Sequence, residues 1–281
     1  MMVKKDLFLV EQEVTVATYE SGDPNGEPIF FLHGNSLAAD IFTKQLLSAE
    51  LSAFRLVAMD LPGHGRSAGA PGCYSVPAMR KVIRAALQTL RLEQALVVAH
   101  SYAGLLFFDL LPQLPGLRGL LAVGAPPVTT GADIQAAFQS NDTVALYYTG
   151  SVTTAQANTM ARYALGPAAP RVEEELIMAD ILRTDGRFRT GLGASLGAGE
   201  LGDGVGHVAR TTVPLALVAG TEDRGLHLPY FQTLAAPSRW GAAVHLIPGA
   251  GHAPFLECPE PFNRLLLDFA AAVGAAPVTQ P

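Results

Sequence analysis

Cysteine is almost absent from the 281 residues, with Cys73 and Cys258 the only two. They lie far apart and outside any CxxC or Cys/His cluster, which argues against a disulfide framework or a zinc site. Long apolar runs are missing too. No stretch reaches the roughly 18 apolar residues of a membrane span. Near the start, Asp6 and Glu11 interrupt the apolar residues, and no small-residue cleavage site follows; a secretory signal needs both features. The chain therefore reads as a soluble, cytoplasmic protein. An excess of positive charge is lacking as well: 19 Lys and Arg face 25 Asp and Glu, a formal net charge of −6. That balance argues against nucleic acid or an anionic membrane as partner and fits a neutral small molecule. The glycine-rich stretch 191–206 has no strand before it and lacks the Lys-Ser/Thr ending of a phosphate-binding loop. It reads as flexible linker.

What is present is a large apolar complement, 49% of the residues. This length suits one α/β core with an inserted subdomain and needs no metal or cross-link to bury its surface. Strands are expected at 7–10, 14–19, 29–32, 54–59, 95–99, 117–123, 214–219 and 243–247. Most are short continuous apolar runs, as in strands covered on both faces. The segments between many of them read as helices, so the fold class is α/β, a mostly parallel sheet flanked by helices. One such helix opens at Ser75 as N-cap with Pro77 in its first turn. It then repeats Met79, Val82, Ile83, Ala86, Leu87 and Leu90 at helical spacing. A last helix runs from Pro261, and the tail 274–281 is expected to fray. From about 128 to 209 the strand–helix alternation breaks. That segment reads as a cap subdomain, with residues 1–127 and 210–281 forming the core.

Chemistry concentrates after the strands. Residues 97–104, Val-Val-Ala-His-Ser-Tyr-Ala-Gly, read as strand, sharp turn and helix with Ser101 at the turn. A nucleophile elbow pushes a serine hydroxyl into the open in this way. The usual flanking glycines are Ala99 and Ala103 here, although Gly104 follows; the plainer reading of Ser101 is a helix N-cap. His33-Gly34-Asn35-Ser36 follows another apolar run, so the amides of Asn35 and Tyr102 are candidates for an oxyanion hole. Asp223 lies in the loop after the strand at 214–219, where open sheets carry function, with Glu222 a competitor one residue away. His252 follows the last strand, in the sequence Gly-Ala-Gly-His-Ala-Pro-Phe. Serine needs a positioned base, imidazole titrates near working pH, and a buried carboxylate can fix its tautomer. The chain order Ser101, Asp223, His252 suits such a triad. Of the other histidines, His33, His64 and His100 fall in turns beside the sheet end and should bond locally. His207 and His227 read as loop residues, and His245 as a strand residue.

These segments resemble a known family. HGNSLAADIFTKQL, DLPGHGRS (residues 60–67), GAPPV and GAGHAPF look like the α/β-hydrolase superfamily across the core. More narrowly, HGNS with IFxxQL, RTDGR (183–187) and GHAPFLECPEPF resemble an N-acyl-homoserine-lactone lactonase of that superfamily, over about 31–269. The resemblance implies an α/β-hydrolase fold with an inserted helical cap and hydrolysis of a lactone or carboxylic ester through a seryl acyl-enzyme. Its physiological form would be acyl-homoserine lactone opening, that is, quorum quenching. A cap tyrosine associated with lactone binding falls on Met160 here, with Tyr147, Tyr148 and Tyr163 as possible substitutes. Ile134, Phe138, Leu146, Tyr148 and Met160 are the residues expected to line an acyl-chain pocket, and no cofactor or metal is implied. A general carboxylesterase and a non-catalytic small-molecule receptor on the same fold are the competing readings. The oligomeric state stays open.

Overall fold

The computed structural model describes residues 2–9, 11 and 13–275. Eight strands form one sheet: β1 (Val3–Leu9), β2 (Val14–Gly22), β3 (Pro28–Leu32), β4 (Arg55–Met59), β5 (Leu96–His100), β6 (Gly119–Val123), β7 (Leu215–Gly220) and β8 (His245–Ile247). Their order is β1-β2-β4-β3-β5-β6-β7-β8. β1 and β2 run antiparallel to their neighbours, and from β4 to β8 every pairing is parallel. Each expected strand has a counterpart. β1 begins four residues earlier than its apolar run, since its Lys and Asp side chains face solvent on a sheet edge; Val10, at the other end of that run, lies outside the described residues. Of the tail expected to fray, 276–281 also lie outside them.

β5, β6 and β7 are buried along their whole length. Side chains alternate between the sheet faces. Phe30, Val57 and Val97 join one apolar cluster, while Phe31, Ala58 and Val98 join the other, as a period of two requires.

The α-helices are α1 (Thr43–Leu46), α2 (Val76–Leu90), α3 (Tyr102–Leu110), α4 (Gly131–Ala137), α5 (Asp142–Leu146), α6 (Thr154–Ala164), α7 (Arg171–Arg183), α8 (Gly186–Gly197), α9 (Gly204–Arg210), α10 (Pro254–Glu257) and α11 (Pro259–Ala272). Ser75 caps α2 by accepting from the Ala78 amide, and Arg91 ends it in the left-handed region at φ 57°. Among the described residues, no helix is long and apolar enough to cross a membrane.

Strand order reverses around β3, whose neighbours are β4 on one side and β5 on the other. Open parallel sheets carry their crevice at such a switch, outside the carboxyl ends of the strands. The turns after β3 and β5 meet there. The six helices α4–α9 lie in the chain between β6 and β7 and form a helical insertion. Its glycine-rich part is mostly helix, and only residues 198–203 connect helices as the linker expected from composition. Residues 191–197 belong to α8, and 204–206 open α9. Packing explains why helix wins over low propensity: a Cβ on Gly191 would sit 3.0 Å from the Tyr74 Cβ, and one on Gly193 3.4 Å from the Tyr148 Cβ. His207, expected in a loop, accordingly lies in α9.

Candidate active site

Ser101 stands between the end of β5 and the start of α3 at φ 52°, ψ −117°. A positive φ is strained for a residue with a Cβ and persists only where the surroundings enforce it. Here the Ser101 amide donates to the Val123 carbonyl at 2.8 Å, and Gly34 lies so near that a Cβ on it would stand 2.8 Å from the Ser101 Cβ. The Ser101 side chain makes no capping bond to α3, so the plain N-cap reading fails. The missing elbow glycines are explained in part by Gly104, where a Cβ would come within 2.4 Å of the Ala125 Cβ. At that position α3 lies close against the segment after β6.

The loops after β7 and β8 bring Asp223 and His252 together. Nδ1 of His252 donates to Oδ2 of Asp223 at 2.6 Å, which leaves Nε2 free to accept a proton. The other Asp223 oxygen accepts from the Gly225 amide at 2.9 Å. Glu222 is exposed and its carboxylate meets only the Thr221 hydroxyl, at 3.4 Å; Asp223 is the carboxylate behind the ring. Gly124, at φ 62°, is pressed against the imidazole, because a Cβ there would lie 2.8 Å from Cε1 of His252. Burial alone would lower the His252 pKa. The charge and hydrogen bond of Asp223, with Glu257 assisting, outweigh it and set the net shift upward.

His100 packs edge-on against His252, with ring centroids 4.8 Å apart, and its Nε2 donates to the His252 carbonyl at 2.9 Å. Burial and the neighbouring imidazole push its pKa well down, so it stays neutral beside a ring that charges more readily. His33 and His64 each make one bond of the local kind expected, to the Gly34 and Pro62 carbonyls, and each also accepts from an amide 28 residues away, Leu61 and Ser36 respectively.

Ser101, Asp223, His252, Asn35 and Tyr102 all line one cavity of about 370 Å³. The sequence pattern that the cavity residues share with known proteins extends over most of the chain: a model of the alpha/beta hydrolase family matches residues 29–265. The chain belongs to the alpha/beta hydrolase family. Among solved structures, a variant of the N-acyl homoserine lactonase AidH complexed with N-hexanoyl homoserine is similar to this hydrolase at a TM-score of 0.89 and 27% identity, covering 100% of this chain and 99% of that one. A curated relative, the pimeloyl-(acyl-carrier protein) methyl ester esterase of Yersinia enterocolitica, is 27% identical over 252 residues, which are 86% of this chain and 92% of the relative. An esterase from Rhodococcus sp. shares the fold at a TM-score of 0.81 and 22% identity, covering 96% of this chain and 99% of that one.

In this hydrolase the far wall of the cavity comes from the insertion. Ile134, Phe138 and Tyr148 line it. Leu146 and Met160 do not. Met160 is fully buried in the cluster on the other sheet face, and Leu146 packs against that same cluster, so their apolar faces turn inward. The phenol of Tyr147 reaches toward Met160, donating to its carbonyl at 3.3 Å. Tyr147 and Tyr163 both border the cavity. Sequence reading also passed over Leu105, Val128, Leu192, Leu196 and Leu201 as wall residues. Spacing cannot separate an apolar side chain facing a cavity from one facing the core.

The insertion reaches the loops after β3, β7 and β8 through hydrogen bonds. Asn35 Nδ2 donates to the Tyr147 carbonyl at 2.9 Å. The Gln139 amide donates to the Gly225 carbonyl at 2.9 Å, and the His252 amide to the Ala164 carbonyl at 2.7 Å. The RTDGR segment anchors the same junction. Arg183 pairs with Asp40 and with the buried Asp180, whose other oxygen accepts from the Ala38 amide.

Proposed function

We propose that this hydrolase cleaves carboxylic esters or lactones through a seryl acyl-enzyme, with N-acyl-homoserine lactones as the leading substrate class. The observation that carries this reading is the 2.6 Å Asp223–His252 bond beside a strained, uncapped Ser101 in a cavity walled by apolar residues. In this reading the Ser101 oxygen attacks the carbonyl carbon while Nε2 of His252 takes the hydroxyl proton. Asp223 keeps the tautomer and stabilises the imidazolium. The Asn35 and Tyr102 amides hold the oxyanion, where one donor contributes about 3 to 4 kcal/mol. Collapse breaks the carbonyl–alkoxy bond and the alcohol leaves with the proton from His252. Water then repeats the sequence and frees the acid.

Residues 128–209 act in this proposal as a cap. Its side chains, among them Ile134, Phe138 and Tyr148, receive the acyl chain, and Tyr147 or Tyr163 offers a phenol where the related lactonases are expected to have one. AidH, by its name, acts on N-acyl homoserine lactones, which supports this choice of substrate. A lactone adds a demand, since its alcohol stays tethered and the effective molarity of such groups reaches about 10⁵ M or more. The cap must draw that alcohol away or place water better.

A general carboxylesterase would use the same residues, and the name of the methyl ester esterase relative favours that second reading. A panel of acyl-homoserine lactones and p-nitrophenyl esters, run on wild type and on Ser101→Ala, decides. Ser101→Ala should lose about 10⁴-fold or more in kcat on every substrate. Lactones should outrank esters of equal chain length; the reverse ranking favours the esterase. A folded protein whose Ser101 resists a fluorophosphonate and which hydrolyses neither class overturns both.

A further inference from the structure

Glu257 closes the short helix α10, five residues beyond His252, and three main-chain amides converge on its carboxylate. Oε1 accepts from Gly251 at 2.9 Å and from Ala253 at 3.3 Å, the residues on either side of His252. Oε2 accepts from Gly166 at 2.6 Å, two residues past the end of α6. The two strands of main chain it joins already touch. A Cβ on Gly166 would lie 2.5 Å from the Gly249 carbonyl oxygen, and one on Gly251 would lie 2.4 Å from the Gly166 nitrogen. No other side chain fits at either position without a shift, and the amides so exposed point at one carboxylate.

We propose that Glu257 is a positioning residue for His252, its carboxylate clasping the main chain on both sides of the imidazole and tying it to the end of α6. The proposal rests on the reading of Ser101 and His252 as a reacting pair and goes beyond it. Main-chain amides that converge on one point favour an anion there, and here the anion belongs to the chain itself. The clasp acts on the imidazole twice. It fixes where the ring stands, since its amides bracket the His252 Cα. It also adds negative charge near the ring, the same sense as Asp223. Burial raises the Glu257 carboxyl and the three amides oppose that rise.

The other groups around this pair are few. Glu173 approaches from α7, held by Lys44 of α1, whose Nζ also donates to the Leu256 carbonyl at 2.6 Å. Cys258 and Glu260 follow along the same segment, and Asp223 and His100 face the ring itself. Among them Glu257 alone bonds to the residues flanking His252.

The test follows the His252 ring by NMR titration and measures the pH profile of kcat/KM beside it. In Glu257→Gln the His252 midpoint should fall by about half a pH unit, with the acid limb of kcat/KM moving equally, because a nearby anion favours the imidazolium. Glu257→Asp keeps the charge and shortens the reach, so the midpoint should stay near wild type while kcat drops several-fold and KM holds. Glu222→Gln, one residue from Asp223 but exposed, should move neither. A Gln variant with wild-type midpoint and wild-type kcat, or a Glu222→Gln shift as large, overturns the proposal. If Glu257→Gln does not fold, an Asp variant with wild-type kcat overturns it as well. The titration works equally in Ser101→Ala and needs no substrate. A midpoint that follows Glu257 in a protein without hydrolytic activity therefore leaves the clasp standing and removes the hydrolase reading instead.

Discussion

The two walls of the cavity are built on different principles. Behind Ser101, Asp223 and His252 the main chain is closely packed: a Cβ on Gly220 would stand 2.1 Å from the carbonyl oxygens of Ala250 and Gly251, and one on Gly34 or Gly124 would stand 2.8 Å from the Ser101 Cβ or from Cε1 of His252. The opposite wall is a set of short helices, several of which carry their own start. Thr130 and Thr153 form capping boxes, and Asn141 caps α5 through the Val144 amide. They face the cavity with separate side chains such as Phe138, Leu192 and Leu196. A side chain can change rotamer to absorb an alteration, whereas two abutting carbonyls cannot. The first wall therefore fixes geometry and the second leaves size and shape adjustable.

Breaking the rigid wall should have the largest effect. Gly124→Ala forces a Cβ toward Cε1 of His252 at a positive φ. A displacement on the order of 1 Å at such a centre costs about 10²-fold, so kcat should fall at least that far while KM changes little, as steady-state kinetics would read. A variant with wild-type kcat would mean that the ring yields and that the contrast is wrong. The adjustable wall should respond more gently and selectively. Phe138→Ala should cut kcat/KM about 10- to 100-fold for long acyl chains, the range of a few methylenes of contact, and leave short esters almost unaffected. Equal losses on both would make Phe138 structural.

The smallest effect concerns pH and sharpens the comparison without breaking it. The proposed base must be neutral to accept a proton, and its pKa is raised. Activity should therefore be lost as pH falls through a midpoint above 6.5, the ordinary histidine value. Asp223→Asn should move that midpoint downward, because the opposing carboxylate is gone. A limb unmoved by this change would assign the titration to another group.

Much of the rigid wall was legible in the sequence. Strands buried on both faces leave continuous apolar runs, and the turns after them gave Ser101, Asp223 and His252 by number. The choice between Asp223 and Glu222 needed coordinates, since adjacent residues differ only in which side of the loop they face. The adjustable wall was legible only in part. Ile134, Phe138 and Tyr148 were found because they are large and apolar, but Met160 satisfies the same criterion and faces the core. The glycines of α8 read as loop, since local propensity carries no information about Tyr74 and Tyr148 lying across from them. Asp180 was invisible for a similar reason. Its burial is bearable because Arg183 and the Ala38 amide meet it, partners 3 and 142 residues away in the chain.

The bond from the His252 amide to the Ala164 carbonyl has a practical meaning for anyone wishing to retarget this molecule by exchanging its helical insert with that of a cousin. A donor segment whose main chain runs differently there would not bring a carbonyl to the His252 amide, and one without glycine at 166 would press a Cβ to within 2.5 Å of the Gly249 carbonyl oxygen. Chimeras should retain residues 164–166 and rebuild the remainder; grafts that replace those three as well would trade substrate preference for a displaced imidazole.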